Sequence, residues 1–195
     1  MAGYKNNIQD GKNGSARQRR QLSFLTEKES LMTNKKKGAV ALVMVFILLL
    51  AMFGFSSQGG AESTSLSRKA TRIICHVIFT GFEDMTGYEQ TFIVKELNYF
   101  VRKLAHFVIY MLIGLCSYYS VGVFLEKVRS KELLNCGICI VCAAADEIHQ
   151  LFVPGRDAKI SDVFIDLLGA VIGMIILRVL LIISEYIKNR SLIRF

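Results

Sequence analysis

The sequence predicts an all-α membrane protein, a bundle of four transmembrane helices with both termini in the cytoplasm. The chain of 195 residues is 52% hydrophobic, with a mean hydropathy of +0.40, and its basic residues are concentrated before the first apolar run. Lipid offers the backbone no hydrogen bonds, so a spanning segment is helical and takes about 20 apolar residues. Four runs meet or approach that length, at residues 38–55, 104–124, 133–153 and 163–183.

The distribution of Lys and Arg predicts the orientation of these spans. Residues 1–37 contain nine Lys or Arg and three acids, and segments with basic flanks remain in the cytoplasm. Alternation through four spans then places fifteen basic residues inside and eight in the outer segments. We therefore expect the turn at residues 154–161 to face outward.

Composition also predicts three parts of the chain. Residues 1–37 are polar and basic without apolar periodicity, which is typical of a disordered arm, here cytoplasmic and close to anionic lipid. Its two aromatic residues, Tyr4 and Phe24, form no repeated pattern with its charges, so nucleic acid is not an expected partner. Residues 38–185 form the predicted transmembrane domain, whose first helix is an uncleaved anchor, and residues 186–195 form a cytoplasmic tail.

The segment between the first two runs predicts a helix on the outer surface. It opens with a predicted turn at residues 56–60. Ile73, Val77 and their apolar neighbours then recur at helical spacing beside Arg68 and Arg72, which is typical of an amphipathic helix in the membrane interface. Residues 91–103 are expected to lead helically into the second span.

Ionisable residues within the spans predict a polar cluster near the outer ends of the helices. Such groups cost roughly 2.5 to 3.5 kcal/mol each on insertion scales, so they face a bundle interior and mark functional sites. On the second span a polar stripe lies within about 80° of one helix face, and on the fourth a GxxxG pair favours close approach of a neighbour. The predicted cluster comprises Lys103, His106, Tyr110, Asp146, Glu147, His149, Gln150, Arg156, Asp162 and Asp166.

Candidate roles follow from side-chain chemistry. Lys103 and Arg156 are charge-assisted donors suited to an anionic headgroup, and Tyr110 and Gln150 are further ligand-binding candidates. The candidate acids, bases or catalytic groups are His106, Asp146, Glu147, His149, Asp162 and Asp166. Four of these, Asp146, Glu147, His149 and Asp162, also have the chemistry to hold a divalent metal, although no metal site and no cofactor is assigned.

The five cysteines predict neither a disulfide framework nor a metal centre. Only Cys75 lies in a segment predicted to be outside, where it has no partner. Cys136, Cys139 and Cys142 have CxxCxxC spacing, but a tetrahedral site requires four ligands. Small residues at a buried helix contact are the favoured interpretation.

Four pieces of the sequence, in this order and spacing, resemble the VanZ-like family of small bacterial membrane proteins. They are FSSQ at residues 55–58, RKLAHFVIY at 102–110, DEIHQLFVPGR at 146–156 and DVFIDLLGAVIG at 162–173. Many members have a Glu before the tyrosine, where this chain has Ile109. The resemblance implies a role in the cell envelope, because the founding member is linked to resistance to the glycopeptide teicoplanin, which acts at the outer face.

Several functions remain open at this stage. The favoured one is non-catalytic binding of a lipid-linked or lipophilic ligand in the outer leaflet, with membrane lipid and a lipid-linked envelope precursor as partners. An intramembrane enzyme acting on a lipid headgroup or envelope precursor by acid/base or metal-assisted chemistry is the alternative, although no nucleophile motif is present. Proton or ion transport and a purely structural polar network are further alternatives.

Overall fold

The computed structural model describes the backbone of residues 2–57, 60–154 and 158–193, and the side chains of 24–57, 67–154 and 158–190. Within these ranges the chain forms α-helices and no β-strand. The predicted all-helical fold class is confirmed. The helices are α1 (Ala2–Ser57), α2 (Gly60–Ile78), α3 (Gly87–Phe124), α4 (Lys131–Gln150) and α5 (Ile160–Ile193), with a 3-10 turn at Phe82–Asp84.

Three of these helices are long and apolar enough to cross a membrane, in the segments Phe24–Ser57, Gly87–Phe124 and Ile160–Arg190. They fit a membrane protein. Helix α4 has 20 residues, which at 1.5 Å per residue match a hydrocarbon core of about 30 Å. Charged residues at both its ends lower its hydropathy, so the fourth span and the orientation of the termini stay predictions.

Helix α1 begins at Ala2, far ahead of its apolar run. Side chains from Phe24 to Lys37 are exposed, so this part of the helix depends on the local propensity of residues such as Glu, Lys, Leu and Met. The disorder predicted for the arm at residues 1–37 stays a prediction. The division into arm, transmembrane domain and tail stays a prediction.

Helix α2 confirms a helix in the amphipathic segment and packs against the start of α3. Its buried Cys75 joins Phe82 and Val94 in a small core. The buried Thr71 Oγ1 lies 3.2 Å from Asn98 Oδ1 and 2.8 Å from the Ser67 carbonyl oxygen of its own helix, and the contact with Asn98 connects the two helices. Of the turn predicted at residues 56–60, residues 56 and 57 belong to α1 and residue 60 begins α2, while residues 58 and 59 lie outside the described residues.

Helices α3 and α5 run parallel and in close contact. A Cβ atom on Gly173 would overlap the carbonyl oxygen of Met111, and one on Gly169 would overlap that of Phe107. Gly114 on α3 approaches the backbone of Ala170 in the same way. The predicted GxxxG contact is confirmed, and it brings the polar stripes of α3 and α5 face to face.

One apolar core joins α1, α3, α4 and α5. Its buried members are Val45, Met52, Tyr110, Ile113, Cys139, Ala143 and Ala170. Helix α4 runs antiparallel to α3, since Asn135 near its start donates to the Gly114 carbonyl and Glu132 accepts from Tyr118. The end of α4 therefore lies beside the middle of α3 and the start of α5.

Candidate functional site

Two ionisable pairs connect the middle of α3 with the start of α5. Lys103 forms an ion pair with Asp162, and the two side chains are only 19% and 17% exposed. One turn deeper, His106 Nδ1 lies 4.0 Å from Asp166 Oδ1. Asp166 is 1% exposed, so the polar stripes face each other and not the surroundings of the bundle.

The end of α4 adds two buried acids and an amide. Asp146, Glu147 and Gln150 are all buried. Gln150 Nε2 donates to Asp146 Oδ2 at 2.9 Å and to Glu147 Oε1 at 3.4 Å. The backbone N–H of Lys159, just before α5, donates to Glu147 Oε2 at 2.9 Å. This bond anchors the connection between α4 and α5 to the same group of acids.

The last turn of α1 supplies two serines to the cluster. Ser56 is fully buried, and its hydroxyl donates to Asp146 Oδ2 at 3.0 Å. Ser57 Oγ lies 2.9 Å from His149 Nε2, and the His149 ring lies 5.1 Å from that of Phe53. Sequence reasoning did not assign these serines to the site, although the FSSQ piece of the family resemblance was a signal for them.

The Ser57 and His149 contact does not have the polarity of a nucleophile and its base. Ser57 donates its only hydroxyl proton to the carbonyl of Phe53 at 2.6 Å. The contact with His149 then requires the imidazole N–H to donate to the serine oxygen. The geometry shown here therefore orients the histidine and does not activate the serine.

Two of the buried polar atoms of this cluster have neither a hydrogen bond nor an ion pair with a residue that the structure describes. They are Tyr110 Oη and Asp166 Oδ2, on side chains that are 0% and 1% exposed. Tyr110 lies close enough to Asp146 and Asp166 to interact electrostatically with both. We call the whole cluster the polar end: Ser56, Ser57, Lys103, His106, Tyr110, Asp146, Glu147, His149, Gln150, Asp162 and Asp166.

The polar end carries more acid than base. Its acids are Asp146, Glu147, Asp162 and Asp166, and the last of these interacts electrostatically with each of the other three. Lys103 is their cationic counterpart, and it is already paired with Asp162. Because buried like charges repel strongly in a medium of low dielectric constant, some of these carboxyls must bind a proton or face a positively charged group.

The structure thus brings together nine of the ten residues predicted for the cluster. Arg156 lies outside the described residues. Lys103 is engaged by Asp162, so its predicted role as a donor to an anion has a competitor inside the protein. Within the described ranges, no group of three or more His, Cys, Asp or Glu side chains has a geometry that would hold a metal ion. Catalytic and ligand-binding roles stay predictions.

The cysteines of α4 contribute to packing. Cys139 is fully buried in the shared apolar core, where its sulfur lies 3.9 Å from Ser117 Oγ. Cys136 and Cys142 are partly buried. This agrees with small residues at a helix contact.

Comparison with known proteins gives one match. A protein-family model described as VanZ/LLP1 matches residues 41–182, which is more than half of the chain and includes every residue of the polar end. No match was found among curated proteins or among solved structures.

Proposed function

The chain belongs to the VanZ/LLP1 family, and from this premise we propose that it is a multi-pass cell-membrane protein of the bacterial envelope whose polar end lies on the extracytoplasmic side. The proposed topology has four spans and cytoplasmic termini. The contacts of α4 with α1, α3 and α5 support it, because the end of α1, the middle of α3, the end of α4 and the start of α5 meet at one level. The excess of basic residues before α1 supports the orientation.

The proposed function is binding of a lipid-linked or lipophilic ligand in the outer leaflet, which lowers susceptibility to teicoplanin-type glycopeptides. The observation that carries this proposal is the unused hydrogen-bonding capacity of Tyr110 Oη and Asp166 Oδ2. A buried polar atom without a partner costs about 1 to 3 kcal/mol. A ligand that supplies hydrogen-bond partners for both atoms would recover that free energy, so binding at the polar end would be favourable.

The charges at the polar end specify the ligand group. The acids outnumber the cations there, and Lys103 is paired with Asp162, so an anionic headgroup buried beside Asp166 would be repelled. A hydroxyl, an amide N–H or an ammonium group would be attracted, because each donates a hydrogen bond to a carboxylate. Arg156, which the structure does not describe, remains the proposed contact for an anionic part of the ligand.

Substitution of Asp166 by Asn tests this function in cells. The experiment compares teicoplanin susceptibility of cells lacking the gene with cells expressing the wild type, Asp166→Asn, or the control Arg178→Gln at matched membrane abundance. Arg178 is on the same helix but pairs with Glu132, away from the polar end. We expect Asp166→Asn to lose most of the protective effect and Arg178→Gln to retain it. Full protection by Asp166→Asn would refute the proposed site.

The same geometry favours one second candidate, an acid/base enzyme acting on a lipid headgroup or envelope precursor. His106 and Asp166 face each other at 4.0 Å in a buried setting, and such a pair can accept and return a proton. The measurement is mass spectrometry of envelope lipids and precursors in cells with wild type and with His106→Gln. A product that requires wild type would support this candidate, and an unchanged lipid profile would leave non-catalytic binding as the function.

A further inference from the structure

A second feature of the molecule is a basic groove between α2 and the start of α3. It has a volume of about 280 Å³ and is lined by Arg68, Lys69, Arg72, Thr91, Val94 and Lys95. Four of these six side chains are cationic, and the described lining includes no Asp or Glu. Lysine and arginine side chains that share a concave surface repel one another unless an anion lies between them. The groove is therefore complementary to an anion.

The two walls of the groove are held in a fixed relation. The buried contact of Thr71 with Asn98 joins the two helices. Thr71 is next to Arg72 on α2, and Asn98 is about one helical turn from Lys95 on α3. Below this contact, Cys75 and Val94 pack with Phe82. The packing of α2 against α3 therefore places these cations around one groove, without hydrogen bonds between their charged groups.

The other flank of α2 is apolar and exposed. Ile73 and Val77 are 65% and 82% exposed. At 100° per residue they lie about 100 to 180° away from Arg68 and Arg72 around the helix. A helix with this distribution lies in the membrane interface, with its apolar flank toward the acyl chains and its basic flank at the level of the headgroups. Lipid phosphates occupy that level.

We propose that this groove binds the phosphate of an anionic membrane lipid. Arg68 and Arg72 are one helical turn apart, and their guanidinium groups suit bidentate contacts with phosphate oxygens. Lys69 and Lys95 add positive charge from the two helices. A lipid fits better than free phosphate because the apolar flank of the same helix places the groove beside acyl chains. The site is separate in residues from the polar end and does not depend on its ligand.

Native mass spectrometry of the full chain in neutral detergent tests the site. The protein is titrated with phosphatidylglycerol or, as a control whose zwitterionic headgroup has no net charge, phosphatidylcholine, and bound lipid is counted. We expect Arg68→Gln/Arg72→Gln to weaken phosphatidylglycerol binding at least about tenfold, which corresponds to about 1.4 kcal/mol. The matched control is Lys127→Gln/Arg129→Gln, which removes the same charge from exposed positions between α3 and α4.

Each result supports or overturns the proposal. Loss of binding in the groove variant alone supports it, as does a smaller loss with Lys95→Gln, which changes the opposite wall. Equal loss in the control variant would show a general charge effect and overturn it. Displacement of the lipid by millimolar inorganic phosphate would overturn the choice of lipid as the ligand. Unchanged binding in a groove variant with a normal unfolding temperature would overturn the site itself.

Discussion

Two ion pairs of the same chemistry lie at the levels of the two ends of α4, in different surroundings. At the polar end, Lys103 and Asp162 are 19% and 17% exposed. At the opposite end, Arg178 Nη1 lies 3.2 Å from Glu132 Oε1, and these side chains are 61% and 40% exposed. Both pairs connect neighbouring helices, so an exposed pair can fix the helix register as well as a buried pair can.

The difference in burial shows that the polar end carries a desolvation cost that helix packing does not explain. An exposed pair contributes about 0 to 1 kcal/mol and leaves both groups able to contact water or headgroups. A buried pair loses solvation, and apolar residues of similar volume would often be as stable. The chain nevertheless adds Asp146, Glu147 and Asp166 beside Lys103 and Asp162. We infer that the polar end is retained for what it binds.

The largest predicted effect comes from removing the cation of the polar end. Lys103→Gln leaves four neighbouring acids without it, and we expect a loss of about 3 kcal/mol in the free energy of unfolding. The measurement is denaturation by sodium dodecyl sulfate in mixed micelles. The loss should shrink as pH falls, because protonated carboxyls no longer repel one another. Adding Asp162→Asn should recover part of the stability, and a loss below about 1 kcal/mol would remove the contrast between the ends.

The next effect tests whether close contact of α3 and α5 is needed to form the polar end. Gly173→Ala places a Cβ against the Met111 carbonyl oxygen, and we expect a cost of about 2 kcal/mol from overpacking. Gly137→Ala is the matched control, because nothing lies within 4 Å of its Cβ position. The control should gain up to about 1 kcal/mol from helix propensity. Similar unfolding curves for both variants would contradict the close contact.

Periodicity in the sequence predicted the half of the polar end that lies on α3 and α5. The geometry of a single helix is enough to assign the polar residues, and with them Gly169 and Gly173, to one helix face. That the two faces meet followed from the small residues, and the contact with Met111 confirms it. The acids at the end of α4 were placed by the same argument about charge in apolar spans.

The contribution of α1 was not predictable in this way. Ser56 and Ser57 follow an apolar run and precede two glycines, so local chemistry favoured a turn. Their bonds to Asp146 and His149 depend on how α1 packs against α4 over a separation of about ninety residues. The engagement of Lys103 by Asp162 was equally a matter of tertiary distance. Spacing along one helix carries no information about either contact.

A smaller effect measures what α1 contributes to the polar end. Ser56→Ala removes one donor to Asp146 Oδ2, which keeps the bond from Gln150. We expect a loss of about 1 kcal/mol in the free energy of unfolding. Thr91→Ala is the control, since its exposed hydroxyl donates to the Gly87 carbonyl of its own helix at 2.7 Å. Equal and negligible losses would show that α1 does not stabilise the polar end.

The smallest effect concerns the exposed pair itself. Arg178→Gln should cost less than about 1 kcal/mol, because Glu132 keeps a hydrogen bond from Tyr118 at 3.0 Å and remains accessible. Raising the salt concentration from about 0.05 M to about 0.5 M should remove most of that cost, since counterions screen exposed charges. The cost of Lys103→Gln should change much less over the same range, because counterions have little access to a buried group. A salt response of equal size at both ends would mean that the polar end is as accessible as the other, and buried carboxyls could then no longer account for its chemistry.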